Sequence, residues 1–266
     1  MISPREVEQS PDAFQSLVRE SIEGLKSGSY LLKQADPGAN LNFSGPRLEK
    51  AGSPFFVHFE PNVDPLTLNP DKAEFKVRKL HAYHQEHPAF QSLVKHPGIQ
   101  GFVSQLVGHK VLLFGDMALA KPPFIGSAKP WHQDDAYFDY LPLDSIVTAW
   151  ITLDDSTEEN GCMYVMPGEH KRGALKHFHG TDCEIERDRL DLDRAVPVEL
   201  KAGGAIFFSG LLPHETPPNR SKKTRRALQF QFRGENTRKV SAEDYAEVFV
   251  EADGTPASCA AARITQ

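Results

Sequence analysis

The sequence predicts a mainly β fold of the jelly-roll or barrel type, with helices packed against one face. From Lys110 onwards, short runs rich in β-branched and aromatic residues are separated by Pro, Gly, Asn and Asp, a pattern typical of antiparallel strands joined by turns. The first third of the chain instead places apolar residues at helical spacing. Strands and helices do not alternate as a parallel βαβ sheet would require.

The helices are expected mainly before Lys110. Ser10 and Pro11 form a suitable N-cap and first-turn pair for a helix that ends near Gly28, because an N-cap serine accepts a hydrogen bond from a free amide and proline needs no donor there. Other helices are expected over Asp71 to about Gln85, Pro88 to Leu106 and, in the tail, Ala242 to Val250.

About eight strands are expected. They cover Phe55 to Glu60, Val111 to Ala120, Trp131 to Tyr140, Ser145 to Leu153, Cys162 to Met166, Val196 to Leu200, Ala205 to Pro213 and Arg225 to Arg233. The segment from Lys171 to Ala195 is long, charged and poor in strand formers. This segment is either a lid over a site or a solvated loop, and its sequence is compatible with both interpretations.

The chain length favours one catalytic domain, since 266 residues supply one well-packed core rather than two. We expect a single domain over residues 1–266, with a helical N-terminal part at about 1–108, a β core at about 109–233 and a C-terminal tail at 234–266.

Charge and cysteine content limit the partners. With 30 Lys and Arg against 36 Asp and Glu, the net charge is −6, which argues against binding to nucleic acid or an anionic membrane. Three widely spaced cysteines suggest neither a disulfide framework nor a zinc motif. No apolar run of about 18 residues suggests a membrane span. We expect a cytoplasmic protein, monomeric or weakly homo-oligomeric, that acts on a small molecule.

Three His-x-acid pairs are candidates for a metal site. On a strand, residues i and i+2 share a face, so such a pair can direct an imidazole and a carboxylate at one ion. His84 and Glu86 are expected on a helix, where they would not face each other, and His58 and Glu60 are followed at once by Pro61, as in an ordinary edge strand. The pair His132 and Asp134 is the strongest candidate.

His214 and Arg225 complete the predicted site. His214 follows the apolar run 205–213, and a polar loop leads from it to Arg225. If the two runs form an antiparallel hairpin, His214 and Arg225 lie at its open end. His132, Asp134 and His214 would then form the facial triad of non-haem iron(II) oxygenases. Arg225 suits an acid bound beside the metal. The neighbouring basic residues are expected to be solvated, namely Arg220, Lys222, Lys223 and Arg226.

Several motifs together resemble the phytanoyl-CoA dioxygenase family. They comprise Lys121-Pro-Pro, Trp131-His-Gln-Asp-Asp-Ala-Tyr, Val147 to Asp155, Glu159-Asn-Gly-Cys-Met, Met166-Pro-Gly-Glu-His-Lys-Arg-Gly and the segment from His214 to Arg225. The resemblance runs from about Val77 to Phe232. It implies a double-stranded β-helix (jelly roll, cupin-like), with Fe(II), 2-oxoglutarate and O2 as cofactors and ascorbate as a candidate stimulant.

The resemblance also implies roles for individual residues. His132, Asp134 and His214 resemble the iron ligands, and Arg225 resembles the anchor of the cosubstrate. Met117, Gln133, Trp150, Thr216 and, less directly, Lys79 resemble the rest of the 2-oxoglutarate pocket. The expected activity is hydroxylation of a C–H bond in a small organic molecule, with release of succinate and CO2.

Two alternatives to this activity are kept open. A zinc hydrolase also uses two histidines and a carboxylate, but it would leave Arg225 and Thr216 unexplained. A non-catalytic β-barrel that binds a metal or ligand would need the same residues. The resemblance also implies that related halogenases have a small residue where Asp134 stands. We therefore expect hydroxylation, or a desaturation or cyclisation that begins with the same hydrogen abstraction, and no halogenation.

Overall fold

The protein is described by a computed structural model, which covers residues 4–34, 45–179 and 182–258. Within these ranges the α-helices are α1 (Pro4–Ser27), α2 (Pro88–Val94), α3 (Pro97–Val107) and α4 (Ala242–Val248). The strands are β1 (Tyr30–Lys33), β2 (Arg47–Lys50), β3 (Phe56–Phe59), β4 (Val77–His81), β5 (Val111–Lys121), β6 (Lys129–His132), β7 (Tyr140–Leu141), β8 (Ile146–Thr152), β9 (Met163–Val165), β10 (His177–His179), β11 (Cys183–Ile185), β12 (Val196–Val198), β13 (Ala205–Ser209), β14 (His214–Thr216), β15 (Arg225–Gly234) and β16 (Arg238–Lys239).

Two antiparallel sheets form the jelly roll. The major sheet has the order β1-β2-β3-β4-β5-β15-β8-β13, and the minor sheet has the order β12-β9-β14-β6. Side chains from both sheets, including Trp150 and Ala227 from the major sheet and Met163 and Val165 from the minor one, share one apolar cluster between them. The mainly β fold with flanking helices, expected as a double-stranded β-helix, is thus confirmed.

The two faces of the major sheet differ in chemistry because strand residues alternate between them. Leu228 and Phe230 of β15 lie on the outer face and join the large apolar core that α1, α2 and α3 cover. Arg225, Ala227 and Gln229 of the same strand lie on the inner face. This inner face is polar as well as apolar, and it positions the site described below.

The expected helix from Asp71 to about Gln85 is wrong. A short 3-10 helix spans Pro70–Lys76, and β4 follows it. Strand β4 is hydrogen-bonded between β3 and β5, so pairing within the sheet overrides a weak helical pattern. The N-terminal third therefore supplies four strands of the major sheet as well as helices. His84 lies in the turn after β4, and its backbone N–H and its Nδ1 lie 2.8 and 2.9 Å from the Asp116 carboxylate.

The predicted hairpin is also wrong. Strand β13 ends at Ser209 and pairs with β8, whereas β15 pairs with β5 and with the other edge of β8. Gly210 and Pro213 interrupt the apolar run, and the chain crosses there into the minor sheet. His214 consequently begins β14 and does not lie at the end of a hairpin.

Other expected helices differ mainly at their ends. Helix α1 begins at Pro4 and includes Pro11, so the expected start at Ser10 is wrong. The stretch from Pro88 to Leu106 is split into α2 and α3 by Pro97, and α4 lies where the tail helix was expected. None of the helices in the described ranges combines the length and the low charge that crossing a bilayer requires.

The segment from Lys171 to Ala195 is not a solvated excursion. It contains the β10–β11 hairpin, and its side chains Leu175, Cys183 and Ile185 are buried. Residues 180–181, within this hairpin, lie outside the described residues. The hairpin packs beside β6, which carries His132.

Candidate metal centre and cosubstrate pocket

The sheet register brings the predicted ligands together. His132 ends β6 and His214 begins β14, and the two residues are directly opposite in the antiparallel register. Asp134 lies in the first turn of a 3-10 helix after β6, so its carboxylate comes from a turn rather than from the expected strand. Its Oδ1 lies 3.6 Å from His132 Nε2 and 3.8 Å from His214 Nε2.

The ligand atoms of these three residues all lie within 4.8 Å of one another, and all three side chains are buried. They are the one metal-type cluster found among the described residues. A divalent ion fits this donor set, because two imidazoles and one carboxylate on one side leave the opposite positions open. His58 and Glu60 form no such cluster; Glu60 instead accepts a hydrogen bond from Ser127 N at 2.9 Å.

Hydrogen bonds from neighbouring groups orient each ligand. Nδ1 of His132 donates to Pro130 O at 2.8 Å, and Nδ1 of His214 donates to Leu212 O at 2.9 Å. Since a carbonyl oxygen can only accept, each Nδ1 carries the proton and each Nε2 presents a lone pair to the centre.

Asp134 is oriented by two side chains of the major sheet. Its Oδ2 accepts from Thr148 Oγ1 at 2.9 Å and from Gln229 Nε2 at 3.2 Å. These bonds leave Oδ1 to face the two histidines. Sequence reasoning missed both Thr148 and Gln229, although the alternation along β8 and β15 places them on the inner face.

The electrostatics favour the forms that bind a metal. Burial, together with the nearby His132, lowers the pKa of His214 to about 4. Burial alone would raise the pKa of Asp134, but the two facing histidines and the hydrogen bond from Thr148 outweigh it and lower the pKa to about 2. At neutral pH the cluster therefore offers the neutral imidazole of His214 and the ionised carboxylate of Asp134.

Asp135 contrasts with its neighbour. It is fully buried, and burial together with the charge of Asp134 raises its pKa well above the usual range. Neither of its carboxylate oxygens has a hydrogen-bond partner among the described residues. Burial therefore favours the protonated form of the Asp135 carboxyl over a second anionic ligand.

Arg225 is buried without a paired carboxylate among the described residues. It is 1% exposed, and its Nη2 donates to Gly161 O at 3.1 Å. Its Nε and Nη1 have no hydrogen-bond partner among the described residues, and no described carboxylate forms an ion pair with it. The guanidinium lies over the Trp150 ring, with 5.5 Å from Cζ to the ring centroid, and the Trp150 Nε1 is also unpartnered.

Lys121 adds a second buried cation, which sequence reasoning used only as a landmark. It lies directly opposite Arg225 in the sheet, and its Nζ donates to Thr216 O at 3.2 Å and to Ser127 O. Burial and the charge of Arg225 lower the pKa of Lys121. Two buried cations without a carboxylate are costly, so this pair fits an acid such as the distal carboxylate of 2-oxoglutarate.

Most of the other predicted pocket residues also face the interior. Met117 and Trp150 lie opposite Gln229 on either side of it, so all three share the face that carries Gln229 toward Asp134. Thr216 follows His214 by two residues on β14. Lys79 is buried opposite Leu119 on the same inner face of the major sheet.

Gln133 has a different place from the one predicted. Its Nε2 donates to Gly173 O and Leu211 O at 2.8 and 2.7 Å, and its Oε1 accepts from Leu175 N at 2.8 Å. The amide is thereby satisfied by backbone groups, because the residue next to His132 points away from the metal centre. Gln133 anchors the loop before β10 and is not available to a cosubstrate.

Arg226 is also not solvated as expected. Its side chain donates to both oxygens of Asp154 at 2.9 Å and to Glu74 at 3.1 Å. These bonds tie the outer face of β15 to the layer below α1.

Known proteins are similar to this chain in sequence. A probable phytanoyl-CoA dioxygenase of Caenorhabditis elegans is 29% identical over 225 residues, which cover 78% of this chain and 72% of that protein. The matched part covers only 63%, 57% and 53% of three further curated relatives.

Solved structures share the fold. A structure titled "non-heme monooxygenase; ThoJ apo" is 27% identical with a TM-score of 0.56, covering 60% of this chain and 61% of that one. EctD from S. alaskensis with bound Fe is 17% identical with a TM-score of 0.66, covering 91% of this chain and 73% of that one, and shows the fold alone.

The family model described as "Phytanoyl-CoA dioxygenase (PhyH)" matches residues 3–227. This match extends the resemblance seen in the motifs through the N-terminal strands and α1. The cofactor set expected from the motifs, Fe(II), 2-oxoglutarate and O2, is confirmed at the level of the family. The chain therefore belongs to the phytanoyl-CoA dioxygenase family.

Proposed function

We propose that the protein is an Fe(II)- and 2-oxoglutarate-dependent dioxygenase that hydroxylates a C–H bond of a small organic molecule and releases succinate and CO2. The observation that carries this proposal is the pairing of two sites in one interior. The triad of His132, Asp134 and His214 offers three ligands on one side, and the unpartnered nitrogens of Arg225 lie in the same interior.

Each part of the interior has a separate task. The triad holds Fe(II), while Thr148 and Gln229 hold Asp134 in the orientation that directs one oxygen at the metal. Arg225 and Thr216 bind the distal carboxylate of 2-oxoglutarate, with Lys121 adding charge. Trp150 and Met117 form apolar walls that exclude water, and Lys79 is the remaining candidate contact.

Fe(II), when bound, supplies the activation of O2 that couples decarboxylation of 2-oxoglutarate to oxidation of the substrate. The protein supplies orientation and a dry interior. The alternatives fit less well. A hydrolase would use an ionised carboxylate beside the metal as a base. Near the triad, burial raises the pKa of Asp135 well above its usual range, and Asp182 is paired with Lys129 at 2.7 Å.

The test is an anaerobic titration of the Fe(II)-loaded protein with 2-oxoglutarate, followed by admission of O2. We expect a visible charge-transfer absorption on addition of 2-oxoglutarate, and slow formation of succinate with ascorbate present. A protein that binds Fe(II) and 2-oxoglutarate but never forms succinate would support the non-catalytic barrel. A protein that binds zinc and ignores 2-oxoglutarate would support the hydrolase.

The substrate, the cytoplasmic location and the monomeric or weakly oligomeric state stay predictions. An untargeted comparison of metabolites before and after incubation with the enzyme, Fe(II) and 2-oxoglutarate would identify the first of these.

A further inference from the structure

A polar cluster next to the metal centre has no part in holding the metal or the cosubstrate. The Nζ of Lys129 lies 2.7 Å from Asp182 Oδ2 and 2.5 Å from the Tyr137 hydroxyl. That hydroxyl lies 3.2 Å from Asp182 Oδ1 and 3.0 Å from Cys183 O. The cluster thus joins β6, the turn after Asp134 and the β10–β11 hairpin.

An irregularity in the minor sheet turns Lys129 toward the interior. His132 lies opposite His214, but Lys129 lies opposite Thr216, so three residues of β6 span the same length as two of β14. Such a bulge changes the side on which the following residue points. Residues directly opposite each other share a face, and Lys129 therefore faces inward with His132, where strict alternation would place it outside.

The cluster directly adjoins a metal ligand. The Tyr137 ring packs edge-on against the His132 ring, with centroids 6.0 Å apart, and Lys129 Nζ lies 4.6 Å from the Tyr137 ring centroid. The ammonium is therefore one side chain beyond His132.

The Lys129 ammonium can donate one further hydrogen bond. Asp182 is fully buried, whereas the Lys129 side chain is 19% exposed, so the lysine is the more accessible member of the pair. An ammonium has three N–H donors. Two have acceptors in Asp182 and Tyr137, and no described residue accepts the third.

The described part of the interior also carries an excess of positive charge. Arg78 lies 3.7 Å from Glu60 and is balanced by it, and a divalent metal and a cosubstrate dianion cancel each other. Among the described residues, the carboxylates of Asp134 and Asp182 then remain against three cations, which are Lys121, Lys129 and Arg225. Lys79 is left out of this comparison, because burial and the charges of Arg78 and Lys129 lower its pKa to about 7.

We infer that the primary substrate is a small organic anion whose carboxylate or phosphonate group is bound by Lys129, while Tyr137 and Asp182 hold the ammonium in place. This inference rests on the proposed function and names the substrate class of the same site. The acid group accepts the third N–H of Lys129 in a charge-assisted hydrogen bond. The rest of the molecule extends past Tyr137 toward His132.

Binding calorimetry on the whole protein, loaded with Fe(II) and 2-oxoglutarate without O2, tests this inference. The probes are propionate, hexanoate and hexylphosphonate, each paired with a neutral counterpart: propionamide, hexanamide and dimethyl hexylphosphonate. We expect at least one acid to bind at least tenfold more tightly than its neutral partner. The carboxylate and phosphonate arms then distinguish the two acid groups.

Three variants assign the effect to Lys129. We expect Lys129→Met to weaken binding of the acid at least tenfold and Lys129→Arg to retain most of it. Because Lys129→Met leaves Asp182 buried without its partner, the double variant Lys129→Met with Asp182→Asn removes both charges, and it should show the same loss. Lys171→Met, at an exposed lysine before the hairpin, is the matched control and should bind the acid as the wild type does.

The outcomes separate this inference from the proposed function. Failure of the wild type to bind 2-oxoglutarate contradicts the proposed function. Normal binding of 2-oxoglutarate with no preference for any acid over its neutral partner contradicts this inference alone. Acid binding that is unchanged in both Lys129→Met and the double variant contradicts it equally.

Discussion

The inner and outer faces of the major sheet differ in how the polar side chains of the same strand, β15, are paired. On the outer face of β15, Arg226 is surrounded by Asp154 and Glu74, and Leu228 is part of the core under the helices. On the inner face, Arg225 has unpartnered nitrogens, and Gln229 is committed to Asp134. The charged groups of the outer face are thus paired within the protein, whereas the Arg225 guanidinium of the inner face has no paired carboxylate among the described residues.

The difference shows how position in the sheet decides the role of a residue type. Two consecutive arginines point to opposite faces because the strand alternates, so one stabilises the fold and the other offers a binding site. Four comparisons across this sheet test the distinction.

The largest effect is expected at the two carboxylates that contact opposite faces of the sheet. Asp134→Ala removes a charged ligand, so the affinity for Fe(II) should fall by about two orders of magnitude or more, since even groups that only orient a ligand contribute about ten- to a hundredfold. Succinate formation should be lost. Asp154→Ala should leave Fe(II) affinity unchanged and lower the melting temperature. Equal Fe(II) affinity in both variants, by metal titration, would contradict the assignment of the triad.

The next largest effect is expected at the adjacent arginines, where substitutions should have different outcomes. Arg225→Met should weaken 2-oxoglutarate binding about ten- to a hundredfold, as expected for loss of a shielded charge-assisted pair, with metal content nearly unchanged. Arg226→Met leaves Asp154 and Glu74 without their partner and should cost about 1–3 kcal/mol of stability, with 2-oxoglutarate affinity retained. Anaerobic titration and denaturant unfolding measure the two quantities. Reversed results would mean that the register of β15 is shifted by one residue.

A smaller effect on the metal is expected from the residues that orient Asp134. Gln229→Leu should lower Fe(II) affinity about tenfold, because the carboxylate loses a hydrogen bond that fixes its rotation. Its neighbour on the outer face, Leu228→Ala, should instead cost about 2–5 kcal/mol of stability through the cavity it leaves. Metal titration of both variants under conditions where each is folded provides the test, and a Gln229→Leu protein with wild-type Fe(II) affinity would count against the orienting role.

The smallest expected effect is the contribution of His58, at the far edge of the inner face, to the pH dependence of folding stability. Burial, followed by the charges of Lys79 and Arg78, lowers the pKa of His58 to about 2. Between this value and the ordinary histidine pKa, the unfolded chain binds a proton that the folded chain does not, so stability falls as the pH drops below about 6.5. His58→Gln should reduce the slope of melting temperature against pH between about pH 6.5 and 5. A slope identical to that of the wild type would contradict this cause.

The predictions from sequence succeeded where the signal is local. His132 and Asp134 were found because two ligand types at short spacing stand out in a chain with 11 histidines, and the ordered motifs brought in His214 and Arg225. The strands β5, β8, β9 and β15 were also predicted near their observed ends. Their turn residues and β-branched runs are visible without knowledge of the tertiary structure.

The predictions failed where pairing between distant segments decides the structure. Strand β4 has a sequence compatible with a helix and becomes a strand between β3 and β5. The supposed hairpin failed because β8 separates β13 from β15 in the sheet. Lys129 could not be foreseen as an inward residue, because the irregularity that turns it depends on β14, more than 80 residues later in the chain.

The burial of the two facing cations Lys121 and Arg225 affects the folding stability of the protein and, through it, the lifetime of the protein in a cell. With no described carboxylate paired to either of them, their burial weakens the folded state, and a bound dianion would restore the balance. A ligand at a hundredfold its dissociation constant adds about 2.7 kcal/mol to folding stability, which is enough to change the fraction of chains exposed to proteases severalfold or more. The lifetime of this protein in a cell would then follow the supply of 2-oxoglutarate, so that a shortage of the cosubstrate reduces the amount of enzyme as well as its rate.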